Sequence, residues 1–113
     1  MKTIIAGSRH ITDVDMVVDV ILKSGIDITQ VVCGCANGVD AIGAAWAEDN
    51  GIPVIEFPAL WDLYGKSAGY KRNVEMAHYS DSLIAIWDGR STGTKHMIDT
   101  ALKHGLHVCL QIV

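Results

Sequence analysis

The chain has 113 residues, of which 50% are hydrophobic and 19% are charged, and its formal net charge is −4. This length fits one domain with a buried core, and the composition excludes a disordered chain. The apolar runs are short and no signal-peptide pattern begins the chain, so we expect a cytoplasmic protein without a membrane span. The acidic net charge disfavours nucleic acid as a partner.

Short apolar strands alternate with helical patterns along the whole chain. Strands are predicted at residues 2–6, 29–33, 53–57, 82–87 and 106–112. Helices are predicted at residues 13–24, 38–50, 70–79 and 94–104. Residues 58–69 form the least regular stretch, a long loop of the kind that often carries function. This alternation predicts an α/β fold of a single domain, residues 1–113, with a parallel five-stranded sheet between two layers of helices.

The stretch 31–40 is a buried strand that runs through a glycine-punctuated turn into a helix. Gly34 and Gly38 allow tight backbone geometry, and such a turn leaves N–H groups pointing outwards at a helix N-terminus. This arrangement suits a phosphate or another anion. Asp40 in the first helical turn would accept from a ribose hydroxyl or cap the helix. A turn that needs glycine only for packing is the alternative.

Polar and basic residues gather at the carboxyl ends of the predicted strands, where parallel sheets bind ligands. Most of the nine Lys and Arg residues lie in connecting segments or at helix starts: Arg9, Lys66, Lys71, Arg72, Arg90 and Lys95. An acidic chain would therefore carry a local basic pocket for a small anionic ligand. The residues predicted to bind this ligand are Gly7, Ser8, Arg9, Gly34, Cys35, Asn37, Gly38, Val39, Asp40, Arg72, Asn73, Asp88, Gly89, Ser91, Gly93, Thr94 and Lys95.

The predicted roles follow from side-chain chemistry. The planar guanidinium of Arg9 suits a phosphate clamp, although a solvated loop arginine is the alternative. Ser91 and Thr94 would form a second anion-binding turn to which Lys95 adds charge, or an ordinary capped helix start. Trp61 and Tyr64 would stack on a base or pack the loop over the sheet.

Three carboxylates are candidates for catalysis, if the protein is an enzyme. Cleavage of an N-glycosidic bond needs a carboxylate that stabilises positive charge or orients water. Asp88 at a strand end is the first candidate, followed by Glu75 and Asp40, and ribose binding or capping is the alternative for Asp88. Cys33 and Cys35 lack the spacing of a zinc or redox pair, so neither a metal nor a cofactor is predicted.

Four short motifs follow one another along the chain. They are Ala-Gly-Ser-Arg at 6–9, Gly-x-x-x-Gly-Val-Asp at 34–40, Ala-Gly-x-x-Arg-Asn-x-Glu-Met at 68–76 and Trp-Asp-Gly-x-Ser-x-Gly-Thr-Lys at 87–95. In this order they resemble the YspA/YpsA-related branch of the SLOG superfamily, which is akin to the LOG phosphoribohydrolases and to DprA. The resemblance implies a Rossmann-like three-layer fold. It also implies a nucleotide or nucleotide derivative whose phosphates or ribose lie against these loops.

The chain departs from the pattern of its relatives at several positions. The family usually has glycine where this chain has Cys35, arginine where it has Asn37 and proline where it has Tyr70. The LOG enzymes have glutamates after their Gly-Thr, where this chain has Lys95 and His96. The resemblance therefore implies binding of a nucleotide more strongly than its hydrolysis.

Three functions remain open from the sequence. The first is a sensor or sequestering module for ADP-ribose, an NAD-related compound or a cyclic nucleotide. The second is a hydrolase that cuts an N-glycosidic or phosphate bond of such a nucleotide. The third is single-stranded DNA binding like that of DprA relatives, which the acidic charge and low aromatic content disfavour. The high apolar content also predicts a homo-oligomer.

Overall fold

The computed structural model describes residues 1–113. Its strands are β1 (Lys2–Gly7), β2 (Gln30–Cys33), β3 (Val54–Glu56), β4 (Ser82–Trp87) and β5 (His107–Ile112). Its helices are α1 (Val14–Lys23), α2 (Val39–Asp49), the one-turn α3 (Trp61–Tyr64), α4 (Ala68–Tyr79) and α5 (Thr92–Lys103). All neighbouring strands are parallel, in the order β3-β2-β1-β4-β5. The predicted α/β fold with a parallel five-stranded sheet is confirmed.

Helices cover both faces of the sheet because its central strands are apolar on both sides. On one face, Ile4 and Leu83 pack with Met76 of α4 and Met97 of α5. On the other face, Ile5 and Ile84 pack with residues of α1 and α2, among them Val17 and Ala47. Successive residues of a strand point to opposite faces, so the continuous apolar runs of β1 and β4 supply both cores.

The strand order creates one point where the direction of strand addition reverses. The chain adds β2 and β3 on one side of β1, then crosses over to add β4 and β5 on the other side. The carboxyl ends of β1 and β4 lie next to each other at this point, with Gly7 opposite Ile86 in the register. In a Rossmann-like sheet, ligands bind in the crevice beyond these ends.

The prediction of a long loop over residues 58–69 is wrong. Leu63 and Tyr64 donate backbone hydrogen bonds of 3.0 and 2.9 Å to the carbonyl of Leu60, which forms α3. A 3₁₀ turn, Gly65–Ser67, then leads directly into α4. The predicted helix starts at 70 and 94 are each two residues late, and the other boundaries differ by at most one residue. No helix is both long and apolar enough to cross a membrane.

Helix α2 approaches the sheet most closely at Gly43. A Cβ added there would lie 2.6 Å from Cγ2 and 2.9 Å from Cβ of Ile5. We expect Gly43→Val to lower the free energy of unfolding by about 2–3 kcal/mol, because it overpacks a rigid contact. Chemical denaturation measures the loss. Ala45→Val, at an exposed position of the same helix, should change it by less than about 0.7 kcal/mol. Equal losses of unfolding free energy in the two variants would contradict a close approach of α2 to the sheet at Gly43.

Candidate functional site

A cavity of about 520 Å³ opens above the carboxyl ends of β1 and β4. Its walls come from the end of β1, the turn before α2, the segment from α3 into α4, and the start of α5. Nine of the residues predicted to bind a ligand line this cavity: Gly7, Ser8, Arg9, Asp40, Arg72, Asn73, Ser91, Gly93 and Thr94. The fold therefore brings loops that are far apart in sequence to one place.

A second cavity of about 260 Å³ adjoins the first and takes in Gly34, Cys35 and Asn37. Four residues line both cavities, namely Arg9, Ala36, Trp61 and Arg72. Two guanidinium groups and an indole ring thus stand between the two compartments. One ligand that occupies both would carry its middle portion past these three side chains.

Five of the predicted binding residues line neither cavity. Val39 is fully buried in the core, and Gly38 lies beneath the turn that follows β1. Gly89 sits in an exposed turn with a φ of 79°. Lys95 points away and forms an ion pair of 2.7 Å with Asp99, so it adds no charge to the cavity. Asp88 and the candidate acid Glu75 are also absent from the lining.

The charge of the lining is positive. Its side chains include Arg9, Lys66 and Arg72, and Asp40 is the only carboxylate among them. Ion pairs join Lys23 to Asp19 and Lys95 to Asp99, and His10 Nε2 lies 3.4 Å from Asp88 Oδ2. None of the three cations of the lining forms a direct ion pair, but the charge of Asp40 interacts with those of Arg72 and Arg9. With three cations and one carboxylate, the lining keeps a net positive charge.

Asp40 is 5% exposed and stabilises the glycine turn from below. Its Oδ2 accepts a hydrogen bond of 3.3 Å from the N–H of Ala36. Burial raises the pKa of this carboxyl above its ordinary value, and the Ala36 N–H and the nearby Arg72 oppose that rise. Arg72 donates through Nη1 to the carbonyl of Gly34 and through Nε to Asn73 Oδ1 at 3.1 Å. These contacts hold Arg72 beside the turn.

Asp88 organises the turn between β4 and α5. Its Oδ1 accepts hydrogen bonds of 2.8 Å from the N–H groups of both Arg90 and Ser91. Ser91 Oγ lies 3.1 Å from Asp88 Oδ2 and 3.0 Å from Ser8 Oγ, which accepts from the Asp88 N–H at 3.2 Å. The backbone bonds from Ser91 and Arg90 lower the pKa of Asp88 to about 2. The geometry favours the capping interpretation of Asp88.

Asn73 links α4 to the start of α5. Its Nδ2 donates to the Gly93 carbonyl at 3.3 Å and lies 3.1 Å from Nδ1 of His96. Burial lowers the pKa of His96, so the ring is neutral at pH 7 and Nδ1 accepts this bond. Tyr70 stacks on the His96 ring with centroids 4.2 Å apart. Asn73 is only 5% exposed, so this link between the two helices is buried.

Sequence reasoning missed several residues of the lining. Tyr70 and His10 line the larger cavity, as does Lys66, which was noted only as one of the basic residues. For Tyr70, the only feature of the sequence that could have indicated a role in the site was that it replaces the family's usual proline. The exposed side chain of Tyr64 lines neither cavity. Lys71 Nζ lies over the Tyr64 ring, 4.9 Å from the ring centroid.

Two positions of the glycine turn have unusual backbones. Gly38 has a φ of 73°, and a Cβ there would lie 2.4 Å from the Arg9 carbonyl oxygen, so the packing alternative holds for this residue. Cys35 has a φ of 65° and is the only non-glycine residue with a positive φ. Glycine, which the family usually has there, adopts this conformation without strain. No three His, Cys, Asp or Glu side chains cluster closely enough to hold a metal.

Comparisons with known proteins agree with this fold. The sequence profile of the YspA, cpYpsA-related SLOG family matches residues 1–64. The Gene 61 protein of Mycobacterium phage D29 is 35% identical over 117 residues, which cover 95% of this chain and 93% of that protein. The crystal structure of DNA processing protein A (DprA) from Streptococcus pneumoniae superposes with a TM-score of 0.78 at 21% identity. That match covers 96% of this chain and 49% of DprA, so the chain spans about half of DprA.

The strand order and the polar cavity at the strand ends define a Rossmann-like α/β protein. The four sequence motifs supply residues of the cavity walls, and some of their residues, such as Val39, are buried in the core beneath the cavity. The chain belongs to the YspA, cpYpsA-related SLOG family.

The hydrogen bonds of Asp88 give its charge a measurable effect on stability. Its pKa falls from 3.8 to about 2 on folding. The stabilisation is therefore fully present above the unfolded value and is lost as the pH falls through the folded value. We expect the difference in unfolding free energy between native protein and Asp88→Asn to shrink between about pH 5 and pH 2. Asp62→Asn, at an exposed position of α3, controls for net charge. A constant difference would contradict this assignment.

The left-handed backbone of Cys35 predicts an unusual order of stability. We expect Cys35→Gly to be more stable than Cys35→Ala by about 1 kcal/mol, because both remove the sulfur but only alanine keeps the strained Cβ. Thermal and urea unfolding compare the two variants. The same pair at Asn37, which lacks a positive φ, should show alanine as at least equally stable. If Cys35→Ala were more stable than Cys35→Gly, the proposed backbone strain at this position would be refuted.

Proposed function

We propose that the protein binds a nucleotide or nucleotide derivative at the carboxyl ends of its strands, as a sensor or a sequestering module. The observation that carries this proposal is the charge of the lining. Arg9, Lys66 and Arg72 form no direct ion pair, and the single lining carboxylate, Asp40, is buried beneath the turn. An anionic ligand would neutralise these cations without displacing an internal ion pair.

The phosphate groups of the ligand would lie next to Arg9. This side chain is exposed, and its planar fork is free to bind two phosphate oxygens. Gly93 lies at the cavity wall and has open space where a Cβ would be, which allows a phosphate to come close to its backbone. Arg72 would add a second charge, although it is already held by the Gly34 carbonyl.

The base would stack on Trp61. This indole is 49% exposed and lies beside Gly69, where an added Cβ would be 3.2 Å from its Cη2. It lines both compartments together with the two arginines. A ligand with a pyrophosphate between two bulky ends, such as ADP-ribose or an NAD-related compound, suits this arrangement better than a compact cyclic nucleotide.

Single-stranded DNA binding is a second candidate because the fold is similar to that of DNA processing protein A. Unpaired cations next to an exposed indole would also suit a phosphodiester backbone with a stacked base. Hydrolysis has less support, because Asp88 and Glu75 line neither cavity, and Asp40 is buried and accepts a hydrogen bond from the Ala36 N–H. We also propose that the chain forms a homo-oligomer.

Binding of ADP-ribose tests the proposal, with calorimetry as the measurement. We expect Arg9→Gln to weaken binding by about 10- to 100-fold, since charge-assisted bonds to phosphate are lost. Lys103→Gln, at the exposed end of α5, removes the same charge away from the cavity and should leave the affinity unchanged. AMP, cyclic AMP and oligothymidylate complete the panel, and mass spectrometry of the recovered ligand separates binding from turnover.

The outcomes distinguish the candidates. Binding of ADP-ribose that is weakened by Arg9→Gln, with the ligand recovered intact, supports a sensor or sequestering module. Tighter binding of oligothymidylate than of any mononucleotide, with an affinity that falls steeply as salt is raised, would favour the DNA alternative. No binding of any nucleotide, or equal effects of the two substitutions, would overturn the proposed site.

A further inference from the structure

The two edges of the sheet are built differently. The β3 edge has only three residues, ends in the charged Glu56, and is flanked by Pro53 and Pro58. Short length, charge and proline all discourage another strand from pairing with an edge. The β5 edge has six residues, and neither a proline nor an Asp, Glu, Lys or Arg occurs in His107–Ile112. The protein thus protects one edge and leaves the other open.

The ladder between β4 and β5 fixes which backbone groups face the open edge. His107 N donates to the Asp81 carbonyl at 3.1 Å, and Val113 N donates to the Trp87 carbonyl at 2.9 Å. Backbone groups alternate sides along a strand, so the odd-numbered residues bond to β4. The N–H and carbonyl groups of Val108, Leu110 and Ile112 therefore point outwards. Of these, the Ile112 carbonyl accepts from the Gln111 side chain at 3.0 Å.

The side chains along this edge are apolar and exposed. Leu110 is 42% exposed, Ile112 is 59% exposed and Val113 is 53% exposed. A long apolar edge with unpaired backbone groups is a template for another strand. Its occupant must supply backbone donors and acceptors in an extended conformation together with apolar side chains.

We propose that two copies of the chain pair through β5, antiparallel about a two-fold axis that passes beside Leu110. The outward residues would then face one another, Leu110 with Leu110 and Val108 with Ile112 of the second copy. Each such pair exchanges two backbone hydrogen bonds, about six in total. The two sheets would become one continuous sheet.

The edge is complementary to itself in this register. On the α5 side of the sheet, the facing side chains are leucine, valine and isoleucine, which pack well across antiparallel strands. On the other side, Cys109 would face Gln111 and His107 would face Val113. No pair brings like formal charges together at pH 7. A two-fold axis requires this kind of self-complementarity, which favours a second copy as the occupant.

The proposed interface does not depend on the ligand site. No residue of β5 lines either cavity. Failure of ADP-ribose to bind would leave the dimer intact, and a monomeric variant would keep the whole ligand site on one chain.

The test is the solution mass by light scattering at matched protein concentrations. We expect the native protein at twice the chain mass of 12.2 kDa. Leu110→Lys places two facing charges at the axis, and Leu110→Pro removes an outward N–H that β4 does not use, so both should give the chain mass. Leu22→Lys, at a residue of α1 that is 66% exposed, is the control and should stay dimeric. Circular dichroism verifies that each variant is folded.

Cross-linking tests the register. Gln111→Cys would lie opposite the native Cys109 of the second copy, in a pair whose Cα spacing permits a disulfide. In a Cys35→Ser background, mild oxidation should link this variant into a covalent dimer, whereas adding Cys109→Ser should abolish the link. A native protein of single-chain mass, or a dimer that survives both Leu110 substitutions, would overturn the proposal. A dimer sensitive to Leu110 but not cross-linked would overturn the register.

Discussion

The candidate site depends on the close packing of the turn after β1 against the start of α2. Gly38 lies directly beneath the carbonyl groups of Ser8 and Arg9, and Val39 is buried under the end of β1. This contact brings the first turn next to the turn that follows β2. Ser8 then reaches across the strand-order reversal to Asp88. The cavity is thus formed by packing within the sheet and its helices.

The electrostatics of the site follow from where its carboxylates are used. Asp40 is buried and accepts from Ala36, and Asp88 caps the turn into α5. Both acids therefore act on backbone N–H groups. Arg9 and Lys66 are left facing the cavity without acidic partners. An acidic chain thereby keeps a positive site, because Asp40 is the only carboxylate among the lining residues.

Much of the fold was predictable because the central strands are apolar on both faces and glycines end the helices. Strand β4 was predicted to the residue for this reason. Residues 58–69 were not, since α3 is one turn held by the carbonyl of Leu60 and has no apolar periodicity. The motifs located the walls of the site, but spacing along the chain does not give side-chain direction. Lys95 was therefore assigned to the cavity although it pairs with Asp99 one helical turn away.

In a parallel sheet, the surface that binds ligands and the surface that pairs with another strand lie in different places. Ligands approach a parallel sheet along the strands, at their carboxyl ends, because the turns there are polar and helices begin there. Partners that extend the sheet approach across the strands, at an edge whose backbone groups are unpaired. Arg9 and Leu110 lie on these two different boundaries of one sheet. A dimer paired through β5 would therefore carry one complete ligand site on each chain, because no residue of β5 lines either cavity.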